Sequence, residues 1–555
     1  MTIADTLEHG FLIPQVTAAL EMQRDRVKLL ADHPGSGKTL QALLAAELDG
    51  LFVSPSAMLI LCNVTGCQLT WAPEIRRRVL SQYPEVIFAD LTDTGGRKTM
   101  PSIAARNRVL GERYLSAILE ERPLIVLANY DLIEWARSGV GTKIPAMFDI
   151  EYDCVVIDEA HLVLPTEYDK DSQQTLFWRG LNRLKISDRA MRLALTGTPD
   201  RGKLHNRYGH WKFLYPGKFV NRQAWVDHFF AVQWEERGWN ARAGRPYRVP
   251  SIIGLHQHRE GEWIASERNR VIRRTKQEMW AGMPDKQWAG DGGIDLELTA
   301  VQRAAYEQFM DDTYARIDEL RASGDDSAQR VIAGLRLQAV LRARQLANAP
   351  RRFETVTDAR GREHVRASID ATAEDSVKMQ WILEWLRPRG YYPGEDYRDD
   401  GGKVVIVSFF TEDLRWIKDR LADVGVEAEI LMGSTPAPEK QHIQQAFQND
   451  YQPGGLRVVL LSGDLGTSIS LDAADDMIFY DMVPDPDRME QAEDRAHRAS
   501  RPHALTIWRL IARDTIDASI VATIDYRYET TRALMDGSRG VRFARMLLGT
   551  EMSEA

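Results

Sequence analysis

The chain has 555 residues, 44% of them hydrophobic and 27% charged, with a formal net charge of -9. That length exceeds one hydrophobic core and implies two to four domains, and the acidic balance argues against a protein that coats nucleic acid indiscriminately while leaving room for a local basic groove. The three cysteines, Cys62, Cys67 and Cys154, give no disulfide framework or zinc spacing; no apolar run approaches the roughly 18 residues of a membrane span, and Met1 to Asp5 lacks the basic start of a secretion signal, so the expected setting is a reducing cytoplasm with no membrane partner.

Near the N-terminus Leu12-Ile13-Pro14-Gln15 offers a side-chain amide that suits the edge of adenine, although a lone Gln there also reads as polar surface. Leu30-Ala31-Asp32-His33-Pro34-Gly35-Ser36-Gly37-Lys38-Thr39 follows. Gly35, Ser36 and Gly37 let backbone N–H groups close on phosphate oxygens, with Lys38 for the β- and γ-phosphates and the Thr39 hydroxyl for Mg²⁺. Apolar runs at Met58–Cys62, Leu124–Ala128, Cys154–Ile157 and Arg192–Leu195 read as buried parallel strands. The third ends in Asp158-Glu159-Ala160-His161. Asp158 is the expected Mg²⁺ ligand and Glu159 the residue that polarises the attacking water, because the pair closes a buried run where α/β sheets place ligands. Thr196-Gly197-Thr198-Pro199 ends the fourth run and suits a hinge that hydrogen-bonds the acidic pair; read alone it is also a strand-ending turn.

From 203 to 375 the character changes. Trp211, Phe213, Trp225, Phe229 and Phe230 form an aromatic-rich stretch, and a long helical pattern runs from Thr299 to Asn348, broken near Ser323–Asp326. These pieces read as helical insertions, with Asp358–Glu363 a polar turn and Gly390–Gly402 a loop. Strand-like runs return at Lys403–Ser408, Arg457–Leu461 and Met477–Tyr480, without a second phosphate loop. Then Gln491-Ala492-Glu493-Asp494-Arg495-Ala496-His497-Arg498 puts Arg495 and Arg498 on one helical face. An arginine there can stabilise charge on a transferring phosphoryl group; taken alone the segment is also a solvated helix face. The expected organisation is α/β: an ATP-binding lobe at 1–202, insertions and linker at 203–375, a partner lobe at 376–520, and a helical brace or tail at 521–555.

With these residues the chain resembles superfamily 2 helicase-like ATPases and, within them, the Swi/Snf-type branch. The branch resemblance rests on Leu30-Ala31-Asp32 and Gln41 around the loop, Leu59–Cys62 followed by Trp71-Ala72-Pro73-Glu74-Ile75, and Trp211 to Phe219. It also rests on Ile272-Arg273-Arg274-Thr275-Lys276, Met283-Pro284-Asp285-Lys286, Gln302 to Tyr306, Leu346 to Pro350, and Thr515-Ile516-Asp517. The resemblance implies two RecA-like lobes of the P-loop NTPase class, ATP and Mg²⁺ as cofactors, and hydrolysis when DNA is bound. It implies that Gln15 contacts adenine, that Lys38, Thr39, Asp158 and Glu159 carry hydrolysis with Gln491, Arg495 and Arg498, and that His161, Thr196, Gly197 and Thr198 couple the sites. There are departures: in the first lobe Asp200-Arg201 stands after Pro199 where the family has an Asn, and in the second the double-glycine segment reads Leu465-Gly466-Thr467-Ser468-Ile469-Ser470-Leu471, Pro484-Asp485 stands before Pro486, and Lys440 replaces an expected Arg. A chain without accessory domains looks bacterial or phage-encoded.

Sequence-independent DNA contact is expected from small polar residues at strand ends: Asn63 and Thr65, Asn129 and Tyr130, Ser408 and Phe409, and Gly466, Thr467 and Ser468. Arg76-Arg77-Arg78 and Arg273-Arg274 are basic clusters that suit DNA or a solvated face equally. The expected function is an ATP-driven translocase on duplex or branched DNA in replication, recombination or repair, working as a monomer. The alternatives are displacement of a DNA-bound protein such as RNA polymerase, and a nucleotide-dependent DNA-binding scaffold with little turnover.

Overall fold

The computed structural model describes residues 11–95, 100–134, 146–164, 176–200, 204–240, 245–280, 284, 286–290, 292–322, 328–357, 363–392, 402–449, 455–465, 469–497 and 503–535. The chain forms two compact units that divide between Gly282 and Met283, inside the stretch read as insertions.

The first unit is built on a parallel sheet. Its strands are β1 (Val27–Leu30), β2 (Ala57–Cys62), β3 (Ile87–Asp90), β4 (Leu124–Asn129), β5 (Glu151–Ile157), β6 (Lys185–Leu195) and β9 (Val271–Ile272), in the order β3-β4-β2-β5-β6-β1-β9. Between β6 and β9 in sequence, β7 (Phe230–Asn240) and β8 (Arg245–Leu255) pair antiparallel as a separate ribbon. The sheet is covered on both faces. Leu29, Leu59, Leu61, Val126 and Val155 enter one core, and Leu30, Met58, Ile60, Ile125 and Val156 the other. Coverage of both faces is why these strands read as unbroken apolar runs. Cys62, Cys67 and Cys154 are free and buried within this unit.

The second unit repeats the plan. Its strands are β10 (Lys286–Trp288), β11 (Ile294–Leu296), β14 (Val404–Ser408), β15 (Ala428–Leu431), β16 (Val458–Ser462), β17 (Asp476–Phe479) and β18 (Leu505–Ala512). The parallel order is β10-β18-β17-β14-β16-β15, with β11 also on β18. β12 (Arg352–Thr357) and β13 (Glu363–Ser368) make a second ribbon, so the polar turn expected at Asp358–Glu363 spans residues largely outside the described set. The long helical pattern is two helices, Ala300–Ala322 and Ala328–Asn348. Among the described residues no helix is long and apolar enough to cross a membrane.

The insertion after β6 is not all helical. Helices Arg207–Leu214 and Arg222–Phe229 lead into the β7–β8 ribbon, and helix Glu260–Arg268 returns the chain to β9. The aromatic stretch divides: Trp211 and Phe213 join one core of the sheet, while Phe229, Phe230 and Trp263 are buried at the foot of the ribbon with Trp225 packed against them.

Candidate active site

Strands β5, β6 and β1 are adjacent and parallel, so their C-terminal ends lie side by side. The loop after β1 turns through Gly35 and Gly37, at φ 80° and 77°, and enters the helix Lys38–Leu48. The left-handed φ of Gly37 favours glycine, and a Cβ there would stand 2.6 Å from Gln15 Nε2, so a larger residue would have to displace that amide. Gln15 is buried; its Nε2 donates to Ser36 O at 3.0 Å and its Oε1 accepts from Leu12 N at 3.0 Å. The residue expected to meet adenine therefore also holds the loop.

A buried polar frame supports the loop from behind. Arg274, just after β9, grips Asp32 through Nε at 3.1 Å and through Nη2, and donates to Gln41 Oε1 at 2.7 Å and to Pro14 O. Gln41 Nε2 donates to Asp32 Oδ2 and Ser36 O, each at 3.2 Å. Arg274, read from sequence as half of a basic cluster suited to DNA or to a solvated face, is thus committed to Asp32. Lys38 Nζ donates to Asp32 O at 2.9 Å and His33 O at 3.3 Å, and Thr39 follows it on the helix. Ser36 Oγ is buried and meets no partner among the described residues. Left-handed glycines, an orphan hydroxyl, an ammonium and the first N–H groups of a helix form a donor set that fits a phosphate chain.

Asp158 continues β5, its N–H donating to Leu61 O at 2.9 Å. Its Oδ2 accepts from Trp71 Nε1 at 2.8 Å and lies 3.5 Å from Cys62 Sγ, and its Oδ1 accepts from Glu159 N at 2.9 Å. Burial, then the Glu159 carboxylate, push the Asp158 carboxyl up to about 6, against the opposing pull of the Trp71 hydrogen bond and the Lys38 charge. Glu159 sits at φ 46°, a left-handed conformation that costs a non-glycine residue about 1–3 kcal/mol and is found where function demands it. His161 Nδ1 lies 2.8 Å from Thr196 Oγ1 and 3.3 Å from Glu159 Oε2, so one imidazole nitrogen faces both. Thr196 Oγ1 accepts from Thr198 N at 3.1 Å, and Thr196 N donates to Leu30 O at 3.0 Å. A Cβ on Gly197 would stand 2.7 Å from Pro34 Cγ. The predicted coupling residues thus run from the acidic pair to the base of the phosphate loop.

Trp71 and the Asp32–Gln41–Arg274 frame contact the site without having been assigned any work there; the sequence marked them only by family pattern. A further network lies behind Asp200. Arg207 is 1% exposed, bonds Asp200 through Nε and Nη2 at 2.8 Å each, and reaches Glu267 Oε2 at 2.6 Å through Nη1. Burial pushes the Glu267 carboxyl up to about 7 despite Arg207, and burial with the Arg207 charge pulls neighbouring His210 down to about 3.

Four residues expected to touch DNA have other work. Asn63 Oδ1 caps the following turn by accepting from Gly66 N at 2.7 Å. Asn129 is buried, bonded to Arg106 and Asp131. Tyr130 OH donates to Asp158 O. Ser408, in the second unit, is buried and donates to Asp481, whose carboxyl also holds Phe409 N at 3.1 Å and Arg344 at 3.1 Å. In this structure their side chains secure strand ends. Thr65 is partly exposed, and Phe409 offers its ring beside Arg488 at 5.2 Å. Gly466, Thr467, Ser468 and Arg498 lie outside the described residues.

In the second unit Gln491 and Arg495 stand four apart on helix Pro486–Ala496. Arg495 is 2% exposed, and its carbonyl accepts from Leu471 N at 2.7 Å. Lys286 Nζ anchors the same helix to β10 through Glu493 Oε2 at 2.7 Å.

Comparison with known proteins agrees with this architecture. A family model described as the SNF2-related domain matches residues 15–352, and one described as the helicase conserved C-terminal domain matches residues 380–500. The chain is 22% identical over 95% of its length to the chromodomain-helicase-DNA-binding protein 3 homolog of Caenorhabditis elegans, covering 26% of that protein. It is 24% identical to Protein CHROMATIN REMODELING 19 of Arabidopsis thaliana (89% of this chain, 64% of that one). It is 22% identical to an uncharacterized ATP-dependent helicase of Mycoplasma pneumoniae (89% and 38%). The chain thus spans less than two-thirds of each of these relatives. Among solved structures it is similar to the Sulfolobus solfataricus SWI2/SNF2 ATPase core in complex with dsDNA, at 21% identity, 97% and 93% coverage, and a TM-score of 0.34.

Proposed function

As the chain belongs to the SNF2-related family of helicase-like ATPases, we propose that it is an ATP-driven motor that tracks on duplex or branched DNA. The observation that carries this reading is the convergence at the ends of β1, β5 and β6. Lys38 and the glycine loop, the Asp158–Glu159 pair, and the His161–Thr196 contact meet there.

In this reading Lys38 and the loop amides hold the phosphates, and Thr39 with Asp158 would hold Mg²⁺. Bound Mg²⁺–ATP supplies the phosphoryl group whose transfer to water drives the cycle. Glu159 orients that water and accepts its proton. Trp71 fixes one oxygen of Asp158, and the Glu159 N–H fixes the other, so the carboxylate presents a single geometry. Arg274 and Gln41 keep the loop rigid, which makes phosphate binding a matter of positioning already in place. His161 senses Glu159 on one side and Thr196 on the other, and Thr196 is bonded to the strand that carries the loop. A change at the phosphates is thereby felt at β6 and in the insertion that follows it. Directional movement then requires that the grip on DNA differ between nucleotide states.

ATP turnover measured against single-stranded, duplex and forked DNA and RNA tests the reading. Stimulation by duplex or forked DNA, weakening as salt rises because the contacts are to phosphates, is the expected result. Turnover indifferent to every nucleic acid, or stimulated by RNA alone, contradicts it.

A further inference from the structure

Arg207 is buried and takes no part in the chemistry assigned above, yet its guanidinium links two structures that carry the site. Nε and Nη2 each donate to one oxygen of Asp200 at 2.8 Å, and Nη1 donates to Glu267 Oε2 at 2.6 Å. The N–H groups of a guanidinium project in one rigid plane, so a fork seated on one carboxylate fixes the direction of its remaining bond. Glu267 cannot shift without breaking that bond or turning Asp200 with it.

The two carboxylates belong to opposite ends of the insertion between β6 and β9. Asp200 follows β6, and Asn206 Nδ2 donates to its carbonyl at 2.9 Å, so it is held at main chain and side chain alike. Two positions earlier Thr198 N bonds Thr196 Oγ1, which faces His161 and, through it, Glu159. Glu267 lies in the last turn of helix Glu260–Arg268, and its carbonyl accepts from Arg270 N at 2.9 Å. Arg270 O accepts from Leu29 N at 3.0 Å and Ile272 O from Ala31 N at 2.7 Å, which seats β9 on β1 and brings Arg274 to Asp32. A second guanidinium repeats the tie. Arg270 lies 5.7, 5.4 and 5.5 Å from the ring centroids of Trp211, Tyr215 and Phe219, joining the approach to β9 to the helix that carries Arg207 and the turn after it. The body of the insertion reaches the same point: the Tyr208 ring lies 5.5 Å from Trp225, which packs on Phe230 and Trp263 at the foot of the ribbon. Close-packed rings transmit a displacement rather than absorb it.

We propose that Arg207 is a positioning residue for hydrolysis: by holding Asp200 and Glu267 with one rigid fork it fixes the segment Thr196–Asp200, and so sets the orientation of Glu159 through His161 according to where the insertion stands. The proposal rests on the reading of Glu159 as the residue that orients water. An ion triad that served stability alone would leave the turnover of folded protein untouched.

The full chain and its Arg207→Lys, Glu267→Ala and double variants are compared by thermal unfolding and by kcat and KM for ATP, with and without duplex DNA. Lysine keeps the charge and loses the fork. Glu267→Ala leaves Arg207 seated on Asp200, so it alone decides the matter should Arg207→Lys fail to fold. In folded protein kcat is expected to fall at least about tenfold in Arg207→Lys and about fivefold in Glu267→Ala, with KM for ATP within about twofold of the parent. The double variant should be no more than about twofold slower than Arg207→Lys, because both changes break one link. Parental kcat in the folded variants overturns the proposal, as does a KM that rises by as much as kcat falls, which would place the effect in nucleotide binding. Lowered kcat in variants of a parent that DNA does not stimulate upholds the role of Arg207 and overturns the DNA-motor reading alone. A parent that hydrolyses no ATP under either condition overturns the hydrolysis reading and this proposal together.

Discussion

The Asp158 carboxyl stores a pH-dependent stability cost that an isosteric substitution should release. Its pKa rises from 3.8 to about 6 because burial and Glu159 disfavour its charge. A rise of about two in pKa corresponds to about 3 kcal/mol, at about 1.36 kcal/mol per unit, by which the ionised side chain destabilises the fold above pH 6. The sign follows from linkage. Between pH 4 and pH 6 the folded chain binds a proton that the unfolded chain has released, so stability falls as pH rises through that window. Asp158→Asn removes the charge and keeps an oxygen for the Trp71 N–H, but turns an amide donor toward the Glu159 N–H, a pH-independent loss that lowers the gain equally at both pH values. It should therefore stabilise the first unit by up to about 3 kcal/mol at pH 8 and by about half of that at pH 5. For a unit of this size that is a melting shift of roughly 6–10 °C at pH 8. Thermal unfolding of both proteins at the two pH values measures it, and turnover should be abolished throughout. A difference in stability between variant and parent that does not shift in the variant's favour between pH 5 and pH 8 would refute the assignment of burial and Glu159 as the cause.

Arg274→Ala leaves Asp32 charged and buried without its guanidinium, so it should cost about 3–5 kcal/mol in thermal unfolding and raise the KM for ATP more than it lowers kcat. Gly37→Ala adds a methyl 2.6 Å from Gln15 Nε2 at a left-handed φ, and nucleotide binding measured by calorimetry should weaken at least tenfold while the remainder of the unit melts nearly as before. His161→Ala should leave basal turnover within a few-fold of the parent and remove most of its stimulation by DNA; equal loss of both would mark His161 as part of the phosphate site itself. On the finger reading of helix Pro486–Ala496, Arg495→Lys keeps the charge and loses the planar fork, and kcat should fall by about 10²-fold or more with little change in the KM for ATP.

The parts of this molecule that local sequence controls were legible in it. β2, β4, β5 and β16 are covered on both faces and announced themselves as continuous apolar runs. The phosphate loop and the acidic pair were legible because each is a contiguous string whose chemistry dictates its spacing. Edge strands were not: β3 and β15 mix buried and half-buried residues and are four residues long, too short for a period to stand out. The β7–β8 ribbon carries Gly238, Pro246 and Pro250, which read locally as breakers, yet each strand of a two-stranded ribbon has a free edge where a missing N–H costs little. Pairings between distant residues were invisible altogether. Arg274 finds Asp32 across 242 positions, and Ser408 finds Asp481 across 73. Ser408 was expected to touch DNA, and Arg274 to face DNA or solvent, because nothing nearby in sequence claims them.

The most direct test of the motor is phosphate release from ATP with and without duplex DNA, measured for the parent chain alongside Lys38→Ala and Glu159→Gln. Release that DNA stimulates in the parent and that falls by at least about 10²-fold in both variants is the expected outcome. Equal release from all three proteins would mean that the loop after β1 and the carboxylates after β5 do not carry the reaction.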